Sequence, residues 1–104
     1  MNEQPSPDMR RESLLRDIAA LRQTLNSKRE CIPYAESLLA ILSDAEIGLG
    51  SEPYGTSRLR EDAFGIFRLV TDSLELEQGL VGKALIEFHG KLRDFVRSVE
   101  GNST

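Results

Sequence analysis

Apolar side chains recur at alternating steps of four and three residues through most of this chain, and no other sequence feature restricts its fold as strongly. The first series is Leu14, Ile18, Leu21, Leu25, Lys28, Ile32, Ala35, Leu39, Leu42, Glu46 and Leu49. The second is Phe67, Thr71, Leu74, Gln78, Val81, Leu85, Phe88, Leu92, Phe95 and Val99, beside a stripe of Leu59, Ala63, Ile66 and Val70. Such steps line one face of an α-helix, whereas a half-buried strand alternates every two residues. The sequence therefore predicts an all-α protein.

The limits of the helical region follow from helix start and stop signals. Residues 48–57 hold three glycines and a proline, so they predict a loop between the two halves. Ser6 and Pro7 are typical of a helix N-cap and first helical position. We expect a disordered N-terminal tail over residues 1–6, one helical domain over residues 7–100 and a C-terminal tail over residues 101–104. A length of 104 residues suits a single domain.

Two weaker breaks interrupt the halves and leave two architectures open. Pro33 removes one backbone hydrogen bond and costs about 3 kcal/mol inside a helix. Gly79 could end a helix in the left-handed conformation, with Leu80 folding back on the last turn. If both breaks are turns, the chain forms a monomeric up-down four-helix bundle. Its helices would then span roughly residues 7–31, 34–49, 57–77 and 80–100.

If both breaks are only kinks, the chain forms a long antiparallel helical hairpin with arms near residues 7–49 and 57–100. The unbroken heptad register favours this hairpin, because a turn has no reason to preserve the phase of the apolar series. Two helices bury little surface, however, so the hairpin would dimerise into a four-helix bundle. The hairpin homodimer is the preferred prediction and the monomeric bundle is the alternative.

Composition limits the location and the partners. Thirteen Lys and Arg against seventeen Asp and Glu give a net charge of −4, which disfavours broad binding to nucleic acid. One cysteine cannot form an intrachain disulfide, which favours a reducing, cytoplasmic setting. The polar start does not resemble a signal peptide, and no run of apolar residues is long enough for a transmembrane helix. We expect a cytoplasmic protein with no membrane partner.

The residues that could carry catalysis are few. His89 is the only histidine, and its place on a helix beside Gly90 and Lys91 raises a histidine phosphotransfer domain as one alternative, although the residue order differs from the usual motif. Cys31 has no neighbouring base to activate it, and a single His and a single Cys cannot supply the ligands of a typical metal site. We expect no enzyme activity, no catalytic residue, no metal and no cofactor.

Protein binding is the predicted function, in the role of an adaptor, regulator or inhibitor. The expected partners are a second copy of this chain, in a homodimer, and an unidentified protein. Tyr54 lies between Pro53 and Gly55 in the predicted loop and could anchor a partner. Four apolar residues lie off the helical series and could face a second helix: Ile41, Leu69, Leu76 and Ile86.

Two further alternatives rest on charge. Residues 32–57 carry no basic residue, and their acids could neutralise a basic target in the manner of an immunity protein or antitoxin: Glu36, Asp44, Glu46 and Glu52. The hairpin would also bring basic residues from both ends of the chain together: Arg10, Arg11, Arg16, Lys91, Arg93 and Arg97. Acids interleave with this patch and no aromatic side chain is expected near it, so a nucleic-acid-associated regulator is the less favoured alternative.

Overall fold

The computed structural model describes residues 7–101, the first two by their backbone alone. The helices are α1 (Pro7–Ser27), α2 (Ala35–Gly50), α3 (Thr56–Asp72), α4 (Leu74–Gln78) and α5 (Leu80–Gly101). No strand occurs within this range, so the prediction of an all-α protein is confirmed there. The predicted tail over residues 1–6 lies outside the described residues, as do residues 102–104, whereas Gly101 closes α5.

The first predicted hairpin arm, residues 7–49, is wrong, because α1 and α2 are separate helices that fold back on each other. A turn over residues 28–34 joins them, and Tyr34 adopts the left-handed conformation at its end with φ 61°. Arg22 of α1 contacts Glu46 of α2, with 3.4 Å between Nη2 and Oε1. The break falls where Pro33 has no N–H to donate and disfavours helical geometry in the residue before it.

The second predicted arm, residues 57–100, is wrong for a similar reason. Helix α3 ends at Asp72, and the Ser73 hydroxyl accepts a hydrogen bond of 3.3 Å from the Leu76 N–H, which starts α4. Arg60 in the first turns of α3 bonds Glu100 near the end of α5, so the two helices run in opposite directions. Ser73 is a local helix-start signal, but the apolar series continues past it, so periodicity alone does not predict this break.

Glycine near the α4–α5 junction allows a close approach of backbones rather than a left-handed turn. Gly79 is extended, with φ −89° and ψ 165°, and no described glycine has a positive φ, so the predicted left-handed stop is wrong. A Cβ atom on Gly82 would lie only 1.5 Å from the Leu76 carbonyl oxygen. The short α4 therefore packs directly on the first turn of α5.

The core lies between the four long helices. Helix α1 contacts α2 and α5, α3 contacts α2 and α5, and α4 contacts α3 and α5. The completely buried apolar side chains are Ile18, Leu25, Leu38, Leu42, Ala45, Leu49, Leu59, Ile66, Val70, Leu85, Leu92 and Phe95. None of the helices in residues 7–101 combines the length and the apolar character needed to cross a membrane.

The side chains of α3 that face the core are not those of the longer apolar series, which includes Phe67 and Thr71. Leu59, Ile66 and Val70 are buried, whereas Phe67 and Thr71 from the longer series are exposed. These two stripes are one residue apart, which rotates the inward face by about 100°. This rotation leaves aromatic side chains on the outside of the protein.

Candidate functional site

Phe64 and Phe67 lie side by side on the outer face of α3. Their exposed fractions are 63% and 43%, although phenylalanine is usually a core residue. A separation of three residues puts the two phenylalanines on the same face of α3. Leu59, Ile66 and Val70 occupy the inward face, so the phenylalanines lie on the outer one. Exposed aromatic side chains that adjoin each other are more informative than isolated apolar residues on a surface.

A groove between α3 and α5 adjoins this pair. Its first part has a volume of about 290 Å³ and is lined by Arg60, Ala63, Phe64, Phe67, His89 and Arg93. A second part of about 220 Å³ shares Arg60 and Arg93 and adds Val96, Arg97 and Glu100. We call these residues together the aromatic groove. It combines an apolar half with a basic half.

His89 forms the floor of the aromatic groove. The side chain is 9% exposed, and its Nδ1 donates to the Ala63 carbonyl oxygen at 3.2 Å. The imidazole ring also lies against Phe67, with 5.2 Å between ring centroids. Burial lowers the pKa of His89, and the charge of Arg93 lowers it further, which favours the neutral ring. A phosphotransfer histidine needs an accessible ring, whereas this one lies in the interior.

The rim of the aromatic groove is positively charged within an acidic chain. Arg60 pairs with Glu100, while Arg93 and Arg97 have no ion pair among the described residues. The expectation of no aromatic near the basic patch is therefore wrong for Arg93. Phe64 and Phe67 come from α3, more than twenty residues earlier in the chain, and only the packing of α3 on α5 brings them there.

The rest of the predicted basic patch is divided between two sides of α5. Lys91 faces α1, where its Nζ lies 3.1 Å from the Asp17 carboxylate. Lys91 and Arg10 line a separate cavity of about 220 Å³ together with Asp94. Arg93 and Arg97 face α3 instead. The six basic residues therefore do not form one surface.

The predicted partner-binding residues are placed in different environments. Tyr54 is half-buried and packs edge-on against Phe95 in the core, with 5.1 Å between ring centroids. Leu76 is only 3% exposed and lies in the core. Ile41 and Leu69 are half-buried, and only Ile86 retains a substantial exposed area, at 36%. These residues do not offer one apolar face.

The four predicted acidic residues are not gathered on one face either. Asp44 turns toward α3, where its carboxylate lies 3.6 Å from the Arg58 guanidinium. Glu46 turns toward α1 and pairs with Arg22. Glu36 and Glu52 are exposed. Two of the four charges are thus already matched within the chain.

Asp62 is a buried acid that no pattern in the sequence singled out. Asp62 is 7% exposed and lies beside Asp44 across the α2–α3 contact. Burial raises the pKa of Asp62 to about 8, and the hydrogen bond and charge of Asp44 add to the shift. Its position four residues before the buried Ile66 is the signal that could have identified it.

The described residues hold no group of three or more His, Cys, Asp or Glu side chains that could bind a metal ion. Cys31 is exposed in the turn between α1 and α2. Within residues 7–101, the aromatic groove is the cavity that Phe64 and Phe67 line with exposed side chains. Comparison of the chain with protein-family models, curated proteins and solved structures finds no match in any of the three.

Proposed function

We propose that this protein is a non-catalytic protein-binding domain and that the aromatic groove is its docking surface. The observation that carries the proposal is the pair of exposed phenylalanines, Phe64 and Phe67, over a groove rimmed by arginines. Aromatic and arginine side chains are enriched at protein interfaces and often provide most of the binding energy. Covering a phenylalanine side chain fully contributes about 1.5–3 kcal/mol.

The partner proposed for this surface is an acidic, amphipathic segment of another protein. Arg93 lies beside the phenylalanines and Arg97 lines the other half, and neither has an ion pair among the described residues. Arg60 lines both halves of the aromatic groove. An apolar anchor would fill the first half while carboxylates approach the arginines. A second copy fits less well, because a two-fold contact through this surface would bring the arginine-rich halves of both copies into one interface.

The architecture proposed with this function is a monomeric up-down four-helix bundle. Two contacts within one chain support it, Arg22 with Glu46 and Arg60 with Glu100, because they bring successive long helices back alongside each other. The predicted homodimer would cover apolar residues of two long arms, but Leu38 and Leu76 are covered by the chain itself. An acidic surface for a basic target has less support, since Asp44 and Glu46 already contact arginines.

Binding of designed peptides tests the docking surface. The probe is a fluorescent amphipathic helix with leucines on one face and glutamates on the other, compared with a lysine version and with an oligothymidine. We expect the acidic peptide to bind most tightly, and Phe64→Ala with Phe67→Ala to weaken it about thirtyfold, or about 2 kcal/mol. Leu80→Ala is the control, since Leu80 is 84% exposed outside the aromatic groove.

Charge variants separate the two halves of the proposed surface. Arg93→Gln should reduce the preference for the glutamate peptide, whereas Arg16→Gln on the exposed part of α1 should not. Equal binding by the phenylalanine variant and the wild type would contradict the docking surface. Tight binding of the oligothymidine alone would favour the nucleic-acid alternative, in which bases stack on the same two rings.

A further inference from the structure

The basic half of the aromatic groove brings three guanidinium groups to one cavity. Arg60 comes from α3, whereas Arg93 and Arg97 lie about one turn apart on α5. All three line the same space of about 220 Å³, and their exposed side chains surround the buried Val96. Only the packing of α3 on α5 brings these arginines together.

This cavity carries a positive charge that the chain itself does not neutralise. Glu100 is the acidic side chain that lines it, and its carboxylate pairs with Arg60. Three arginines and one glutamate give the lining a net charge of +2, in a chain whose net charge is −4. Asp94, on the same helix as Arg93, lines a different cavity beside α1. Like charges held close together repel each other, so this arrangement favours an anion that enters the cavity.

The charge and the donors of the cavity fit a phosphate group better than a single carboxylate. A phosphorylated side chain carries a charge of about −1.5 to −2 at pH 7 and three acceptor oxygens, whereas a carboxylate has one negative charge and two oxygens. Guanidinium groups are planar and can present two N–H donors to one phosphate. A dianion would balance the net charge of +2 while the Arg60–Glu100 ion pair stays intact.

The apolar and basic halves follow one another along two antiparallel helices. On α3, Phe67, Phe64 and Arg60 share one face and succeed each other toward the start of the helix. On α5, Arg93 and Arg97 extend in the same direction. Seven residues of an α-helix rise about 10 Å, so the two ends of this row are about two helical turns apart. A bound helix could therefore contact both halves at once.

We propose that the segment that docks in the aromatic groove carries a phosphoserine or phosphothreonine, and that Arg60, Arg93 and Arg97 bind its phosphate group. This inference rests on the docking surface proposed above and specifies the chemistry of the partner. The apolar anchor of the segment covers Phe64 and Phe67, and the phosphate lies about one to two helical turns farther along. The domain thus distinguishes the phosphorylated form of its partner from the unmodified form.

The test uses one fluorescent peptide in three forms, in a buffer free of phosphate. The peptide is an amphipathic helix with leucines on one face and glutamines on the other, and one polar position holds serine, glutamate or phosphoserine. This position is placed one and two turns to either side of the central leucine, so that both chain directions are covered. We expect the phosphoserine form to bind about tenfold more tightly than the glutamate form, through additional charge-assisted hydrogen bonds. The serine form should bind most weakly.

Arg97→Gln separates this inference from the proposed docking surface, because Arg97 lines the basic half and not the part that holds the phenylalanines. It should remove most of the phosphoserine advantage and leave the affinity for the serine form unchanged. Arg97 is exposed, so the substitution leaves the core intact. Arg16→Gln, at an exposed arginine of α1, is the matched control and should change none of the three affinities.

Equal binding of the phosphoserine and serine forms, both still weakened by Phe64→Ala with Phe67→Ala, would overturn this inference and leave the docking surface in place. If the phenylalanine variant bound all three forms as the wild type does, the docking surface would fail and this inference with it. Two further probes test other sources of a phosphate group. Competition by inorganic phosphate at the concentration of the peptide would overturn the proposal in favour of a free anion. Arg97-dependent binding to phosphatidylinositol bisphosphate vesicles, with no preference among the peptides, would overturn it in favour of a lipid headgroup.

Discussion

At the scale of the residue, burial favours the neutral form of two titratable side chains, and it does so by shifting their pKa values in opposite directions. Burial raises the pKa of Asp62 and lowers the pKa of His89, because both charged forms are poorly solvated in the interior. The neutral imidazole can then donate to the Ala63 carbonyl oxygen. As the pH falls, the raised pKa of Asp62 favours the folded state and the lowered pKa of His89 disfavours it.

His89 should make the protein less stable in mild acid. The unfolded chain takes up a proton at the ordinary histidine pKa of 6.5, while burial and Arg93 hold the folded pKa lower. The unfolded state then binds more protons, so the free energy of unfolding falls as the pH drops below about 6.5. Because His89 is the only histidine, its proton NMR titration is easily assigned and should give a midpoint below 6.5.

Two variants check the causes of this shift. Arg93→Gln removes the nearby cation and should move the His89 midpoint upward, whereas Arg16→Gln on α1 should leave it unchanged. His89→Gln should lose less stability than the wild type between pH 6.5 and pH 5. A wild-type midpoint at or above 6.5 would show that the imidazole is not desolvated as its burial implies.

At the scale of the element, the join between α4 and α5 depends on the absence of a side chain at Gly82. A Cβ atom on residue 82 would lie 1.5 Å from the Leu76 carbonyl oxygen. This oxygen belongs to the backbone, so it cannot move aside as the end of a flexible side chain can. The residues before Gly82 use Ser73 as an N-cap and Gly79 in an extended conformation. This short element thus combines three backbone requirements in ten residues.

Gly82→Ala should therefore destabilise the protein, by about 1–3 kcal/mol in urea denaturation, as expected for overpacking. Gly90→Ala is the matched control, because Gly90 lies in the same helix and a methyl group there would meet no other atom within 4 Å. The control should raise the free energy of unfolding by about 0.5–1 kcal/mol, through helix propensity. Equal effects from the two variants would mean that α4 does not press on α5 in solution.

At the scale of the whole molecule, the chain covers its own apolar surface. The four long helices contact each other in a closed circuit through α1, α2, α3 and α5, and their interior is filled by side chains of the same chain. The apolar residues that remain most exposed are spread over several elements: Met9, Ile47, Phe64, Leu74 and Leu80. Each of the five helices thus contributes one of these side chains.

Light scattering on a sizing column should accordingly find one species near 11.6 kDa from sub-micromolar to tens of micromolar protein. The Phe64→Ala with Phe67→Ala variant should have the same mass, since these residues are proposed to bind a different protein. A mass near twice this value would favour the homodimer over the monomeric bundle. Loss of such a dimer in the phenylalanine variant would identify a second copy as the occupant of the aromatic groove.

The helical class and the position of the principal breaks follow from the amino-acid sequence alone, because both are local properties. Apolar periodicity, Pro33, the glycine-rich loop and the Ser6-Pro7 start act through residues within a turn or two of each other. Three helices accordingly begin close to these signals, at Pro7, Ala35 and Thr56. The same signals could not say whether Pro33 is a kink or a turn.

Tertiary structure alone decided which stripe of α3 faces inward, and the candidate site depends on that choice. Two apolar stripes one residue apart are both helical, and only contacts with α2 and α5 select Leu59, Ile66 and Val70 for the core. The same rotation exposes Phe64 and Phe67 beside Arg93 and buries Asp62 beside Asp44. Burial is a property of residues distant in the chain, so periodicity within one helix cannot determine it.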